Sequence, residues 1–93
     1  MFKNRYLTKG VQSEIPIELQ IFIRDCIDRL PDEADYFQVF VLSSSNGKQH
    51  IRHFSEQPEF KAEYDISVQN PITSKVYVID DGDHTTMLLA EEY

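Results

Sequence analysis

Cysteine occurs once in this chain, tryptophan never, and glycine only three times. A lone Cys26 rules out an internal disulfide, so the fold has to hold without a covalent staple, as proteins of reducing compartments do. Three scattered glycines cannot build a phosphate-cradling loop. A Gly-x-Ser-x-Gly nucleophile elbow and zinc-type Cys/His spacing are both missing. Nowhere does an apolar run approach the ~20 residues of a membrane span. The basic start Met1-Phe2-Lys3-Asn4-Arg5 lacks the following apolar stretch of about 7–15 residues that marks a signal peptide. These absences lead to the expectation of a cytoplasmic, non-enzymatic protein with no cofactor and no membrane partner.

Cations are scarce too. The net charge is −7, from nine Lys and Arg against sixteen Asp and Glu. Residues 1–10 hold Lys3, Arg5 and Lys9 and no acid, so that start carries +3 and the rest of the chain −10. An anionic body repels phosphate backbones, whose binding rests on clustered Lys and Arg, so no direct nucleic-acid contact is expected. Lys3, Arg5 and Lys9, interleaved with Phe2 and Tyr6, could form a nucleic-acid arm. Three charges are too few, and the arm is better read as a strand whose cations meet the acidic body or terminus, including Glu91 and Glu92.

What the chain does have is enough apolar matter for one core. With 41% hydrophobic residues, eleven of them Phe or Tyr, residues 1–93 form a single domain. At this length only roughly 60–65% of the unfolded surface is buried, so the margin of stability is thin.

One helix is plain. Pro16 suits a first helical turn, and Pro31 stops the helix after Leu30. At ~100° per residue, Leu19, Phe22, Ile23, Cys26, Ile27 and Leu30 share one broad core face. Ile17 and Ile21 fall on the opposite side, in line with Arg24 and Asp28. Two stacked outward isoleucines are an anomaly, and burying both yields roughly 3–6 kcal/mol before association costs. Ile17, Ile21, Arg24 and Asp28 are therefore the candidate partner-binding residues, the alternative being a loop that covers the pair.

After the helix the chain reads as strands. A short first strand at Tyr6-Leu7-Thr8 ends at Gly10. The segment Phe37 to Leu42 is dense in β-formers, and Asn46-Gly47 marks a tight hairpin into Lys48 to Phe54. Pro58 breaks the chain before a strand at Ala62 to Val68, and Asn70-Pro71 marks a further turn. Lys75 to Ile79 and Thr85 to Ala90 follow, joined by Asp80-Asp81-Gly82-Asp83. The expected class is α+β: one amphipathic helix on a mainly antiparallel sheet of five or six strands, possibly curled. Phe37, Val39 and Val41 point one way, while Tyr36, Phe40 and Leu42 point the other. One helix covers one face. A curled sheet, the 55–61 loop or a second subunit must cover the other, which makes a homodimer a live expectation.

Three constellations bear on chemistry. Asp80, Asp81, Asp83 and His84 offer oxygen and nitrogen ligands to a divalent cation, but lack the alternation and closing Glu of an EF-hand loop. Their structural alternative is a hairpin turn with Asp capping and Gly82 at positive φ. His50 and His53, three apart on a strand, leave on opposite faces and share no metal without a bulge. Cys26 lies on the helix core face with no adjacent base to activate it.

Both ends of the chain resemble a known family. Arg5-Tyr6-Leu7-Thr8, then Glu14-Ile15-Pro16 with Glu18-Leu19-Gln20, are similar to the opening of a small family of Gram-positive bacterial proteins, domain of unknown function 960. Asp35 to Phe40, Lys75 to Gly82 and Thr86 to Tyr93 are similar to its later blocks. The resemblance implies a stand-alone bacterial cytoplasmic domain and brings no activity or site residue with it. The leading expectation is a protein-protein interaction domain that binds a partner or itself. A phage- or plasmid-borne acidic inhibitor of a basic nucleic-acid-binding enzyme, anti-CRISPR-like, is the first alternative. A metal-dependent enzyme built on the 80–84 turn is the second.

Overall fold

The computed structural model describes all residues, Met1–Tyr93. It is one open sheet with helices on one face. In chain order the elements are β1 (Arg5–Leu7), α1 (Lys9–Glu14), α2 (Ile17–Asp28), β2 (Phe37–Ser45), β3 (Lys48–Glu56), β4 (Glu59–Ile66), β5 (Ser74–Asp80), β6 (Thr85–Leu89) and a 3-10 turn at Ala90–Glu92. The strands lie in the order β1-β6-β5-β2-β3-β4. All neighbours are antiparallel except β1 and β6, which run parallel with Arg5 opposite Thr85. The fold is α+β, as the sequence pattern implies.

α2 buries Leu19, Ile23, Cys26 and Ile27, with Phe22 and Leu30 half covered, so the core face follows the 3.6-residue period. Pro16 sits at the N-cap rather than inside the first turn. The helix ends at Asp28, two residues before the expected end at Leu30, because Arg29 and Leu30 close it with bonds to Asp25 and Ile27 carbonyls. From β2, Phe40 and Leu42 point under α2 and meet Ile51, Val76, Val78, Met87 and Leu89. Asn46 and Gly47 take φ of 52° and 77°, the two left-handed positions that a type I′ hairpin needs.

Three expectations are corrected here. First, Gly10 does not end a strand. It lies inside α1, a helix started by Thr8, whose hydroxyl accepts from Val11 N at 3.2 Å. A Cβ on Gly10 would stand 2.7 Å from the Glu92 carboxyl and 2.8 Å from Leu89 Cδ1, so the glycine is there for close approach. Second, no 55–61 loop exists. β3 and β4 meet through Gln57-Pro58 alone, and β4 begins at Glu59 rather than Ala62. Asp35 holds that turn, accepting from Gln57 N at 2.8 Å, Glu56 N at 3.3 Å and, on its own side, Phe37 N at 3.0 Å. Third, the basic start is a strand only from Arg5: Phe2 lies outside β1 and turns into the core, and Phe2 N donates to Asp80 Oδ2 at 2.9 Å.

The sheet's second face is dressed by its own side chains. The 3-10 turn folds Tyr93 back so that its ring meets Phe37 and Tyr77, each at 5.5 Å between centroids. Arg52 lies over Phe54 at 5.1 Å and Lys75 over Tyr77 at 5.7 Å. Tyr36 precedes β2 and stands exposed instead of joining the Phe40 side.

Candidate functional site

α2 reaches as far as β4, where Phe22 meets Tyr64 edge-on at 5.1 Å. At the opposite end of the sheet it leaves a wedge over β6 and β1. The wedge is a groove of about 220 Å³. Its floor is Val78, Thr85 and Met87, which point to the helix side of β5 and β6. Ile17, Gln20, Ile21, Arg24 and Ile27 form the α2 wall, and Arg5, Tyr6 and Leu7 form the rim. The lip is apolar and open: Ile17 is 67% exposed, Ile21 44% and Leu7 39%. Thr85 is buried at the floor with its hydroxyl unpaired.

The groove brings together three of the four candidate partner residues. Ile17, Ile21 and Arg24 line it, and Arg24 makes no ion pair. Asp28 is occupied: its Oδ1 accepts from Arg5 Nη2 at 2.6 Å, while Arg5 Nε donates to the Phe2 carbonyl at 2.8 Å. That pair ties the end of α2 to β1. The N-terminal cations are expected to meet the acidic body or terminus, including Glu91 and Glu92. Arg5 meets the body at Asp28, whereas Glu92 accepts from Thr8 Oγ1 at 2.7 Å and Leu89 N at 2.8 Å and takes no cation. The β1 half of the groove was not legible, since Arg5, Leu7, Thr85 and Met87 meet only through a parallel pairing between distant segments.

β1 is also an edge. Thr85 N donates to the Asn4 carbonyl and Thr8 N to the Met87 carbonyl, so residues 4, 6 and 8 turn their backbone groups toward β6. By alternation, the N–H and C=O of Arg5 and Leu7 face outward. The one side chain that reaches them is Gln12, whose Nε2 lies 3.5 Å from the Leu7 carbonyl. The opposite edge, β4, is long and carries Glu59, Lys61, Glu63 and Asp65 in alternation, a pattern that resists strand pairing.

The acidic turn is engaged with its own backbone. Asp80 Oδ1 accepts from Gly82 N at 2.9 Å while Oδ2 holds Phe2 N, and these two bonds keep its pKa below the usual carboxylate range. Asp81 Oδ1 accepts from His84 N at 2.8 Å and Asp83 N at 3.0 Å, which lowers its pKa likewise. The His84 ring turns to Tyr6 at 5.3 Å. Asp80, Asp81, Asp83 and His84 do not converge on a point, and no three His, Cys, Asp or Glu side chains gather anywhere as a metal-binding group.

The histidines part as their spacing requires. His50 lies on the open face between two carboxylates, Nδ1 2.8 Å from Asp65 and Nε2 2.9 Å from Glu63, which raise its pKa. His53 is buried, stacked on Phe40 at 4.1 Å, with Nε2 2.7 Å from Gln38 Oε1. Gln38 Nε2 donates to the Asp35 carbonyl at 2.7 Å, so the amide oxygen faces His53 and the imidazole donates from Nε2. Burial, with Arg29 adding to it, pushes its pKa down to about 4. Cys26 is buried and its thiol pKa is raised by that burial, which is the opposite of activation.

This architecture defines a class: a small α+β domain with an open six-stranded sheet, a helix on one face and a groove at one end. Within it, the chain belongs to the family described as Staphylococcal protein of unknown function (DUF960), whose model matches residues 4–92. It is similar in structure to a protein of unknown function from Enterococcus faecalis, with a TM-score of 0.81 and 28% identity over 97% of this chain and 90% of that one. No curated protein matches the chain. No helix is long and apolar enough to cross a membrane.

Proposed function

We propose that this protein is a non-enzymatic binding module that seats a protein partner in the groove between α2 and β1. One observation carries the reading: Ile17 and Ile21 stand exposed on the lip of an apolar groove instead of being roofed by a loop. Large apolar side chains in adjacent positions are stable in water only at a cost that a partner removes. The occupied carboxylates favour this over an anionic decoy. Asp28, Asp35, Asp80, Asp81 and Glu92 are all tied to partners within the fold, and the open face of β4 mixes both signs of charge. The acidic turn, being spent on capping, gives a metal-dependent enzyme no support.

The double variant Ile17→Asp, Ile21→Asp tests the proposal. Both positions face water, so the thermal melt should stay within a few degrees of the parent. Capture of partners from a Gram-positive lysate should be lost. Sedimentation velocity on the parent and variant identifies a second copy of the chain if that is the partner. Undiminished capture and unchanged association would overturn the proposal.

A further inference from the structure

We propose that the occupant of this groove is an extended, acid-bearing apolar segment of another protein, added as a strand to the free edge of β1. The inference rests on the groove being the docking site and adds the partner's chemistry and its mode of binding.

The backbone supplies the first argument. Arg5 and Leu7 present outward N–H and C=O groups, and Leu7 also sends its side chain to the rim of the groove. A strand laid along this edge gains main-chain hydrogen bonds while every second side chain drops toward the groove. Only β1 offers this combination, because β4 is guarded by its alternating charges.

Size gives the second argument. An apolar cavity of about 150 Å³ holds a benzene-sized group, and this groove has about 220 Å³. It accommodates one large aliphatic or aromatic side chain with room beside it. That matches the alternate residues of a short strand better than a whole helix face.

Charge decides which strand. The groove's two cations are Arg24, which lacks an ion-pair partner, and Arg5, which shares only Asp28. Lys3 and Lys9 flank β1 in the sequence, while the carboxylates at this end, Asp28, Asp80 and Glu92, are already bonded to Arg5, Phe2 N and Thr8, so Arg24 is the groove cation left without a carboxylate. A second copy pairing through its own β1 would bring Lys3, Arg5 and Lys9 against the same charges. A carboxylate on the groove side of the incoming strand meets Arg24 instead.

The test uses blocked seven-residue peptides on the isotope-labelled full chain, followed by NMR. The probe alternates serine with Glu, Leu and Leu on one face, and its reverse sequence serves the opposite strand direction. Expected are shifts at Ile17, Ile21 and Arg24, together with slowed hydrogen exchange of the Arg5 and Leu7 amides. Glu→Lys in the peptide, or Arg24→Gln in the protein, should weaken binding by about tenfold. N-methylation of the peptide amides that face β1 should abolish it. Peptides that bind equally well when N-methylated or lysine-bearing overturn the strand-addition inference and leave the groove as a docking site. No shift with any peptide at about 1 mM, alongside an Ile17→Asp, Ile21→Asp variant that captures partners normally, overturns both.

Discussion

His53 shows how much of this small core is polar. It is buried beside Phe40 and Phe60, donates to Gln38 and leaves Nδ1 without a partner. A buried neutral imidazole makes stability depend on pH with a definite sign. Its folded pKa of about 4 lies below the unfolded 6.5. Between those values the unfolded chain gains a proton that the native state refuses, so stability falls as pH drops from 6.5 to about 4. The full loss is about 3 kcal/mol. His50 acts in reverse, since its raised pKa adds stability below 6.5 that disappears as pH rises through the folded value. Urea titrations at pH 7 and pH 4.5 should therefore show a smaller acid loss in His53→Gln than in the parent. Gly10 gives a second residue-scale outcome. Alanine gains about 1 kcal/mol of helix propensity but drives a methyl against Leu89 and the Glu92 carboxyl. We expect Gly10→Ala to be destabilised by about 1–2 kcal/mol in urea titration.

At the scale of elements, Asp35 holds together the start of β2 and the turn between β3 and β4. Burial acts to raise its pKa, but the N–H groups of Phe37, Gln57 and Glu56 outweigh it and keep the carboxylate charged. Asp35→Ala leaves three backbone donors without an acceptor, at a cost of about 3 kcal/mol measurable by urea titration. The elements differ in how far the sequence reveals them. α2 and the β2–β3 hairpin are legible because their determinants are local: a 3.6-residue stripe and an Asn-Gly turn. α1 is not, since a six-residue helix with Val11 as its one buried residue has no periodicity to read, and Gly10 imitates a stop. Pro58 reads as a break, yet the turn it joins is made tight by an aspartate that lies 22 positions upstream of Gln57.

For the whole molecule, the candidate site divides along the same line. Ile17, Ile21 and Arg24 were visible because they break the helix pattern. Their opposite wall was hidden, because Arg5 and Leu7 become its rim only through pairing with β6. The open sheet face illustrates the same limit. Alternation in β2 exposed the covering problem, but Tyr93 reaching back to Phe37 and Tyr77 is a long-range event. Tyr93→Ala removes two edge-on ring contacts and should lower stability by about 1 kcal/mol, read from the shift in urea midpoint.

The pairing of β1 with β6 also sets an order in time. Arg5 lies opposite Thr85, eighty positions further along the chain. Hairpins β2–β3 and β3–β4 join neighbours and can close early, whereas β1 must wait for a strand synthesised after all the others. Until then α2 has no β1 rim facing it and the groove is missing its outer wall. A ligand that needs both walls therefore discriminates between the growing chain and the completed fold, and ignores every intermediate in which the two ends of the sheet have not yet met.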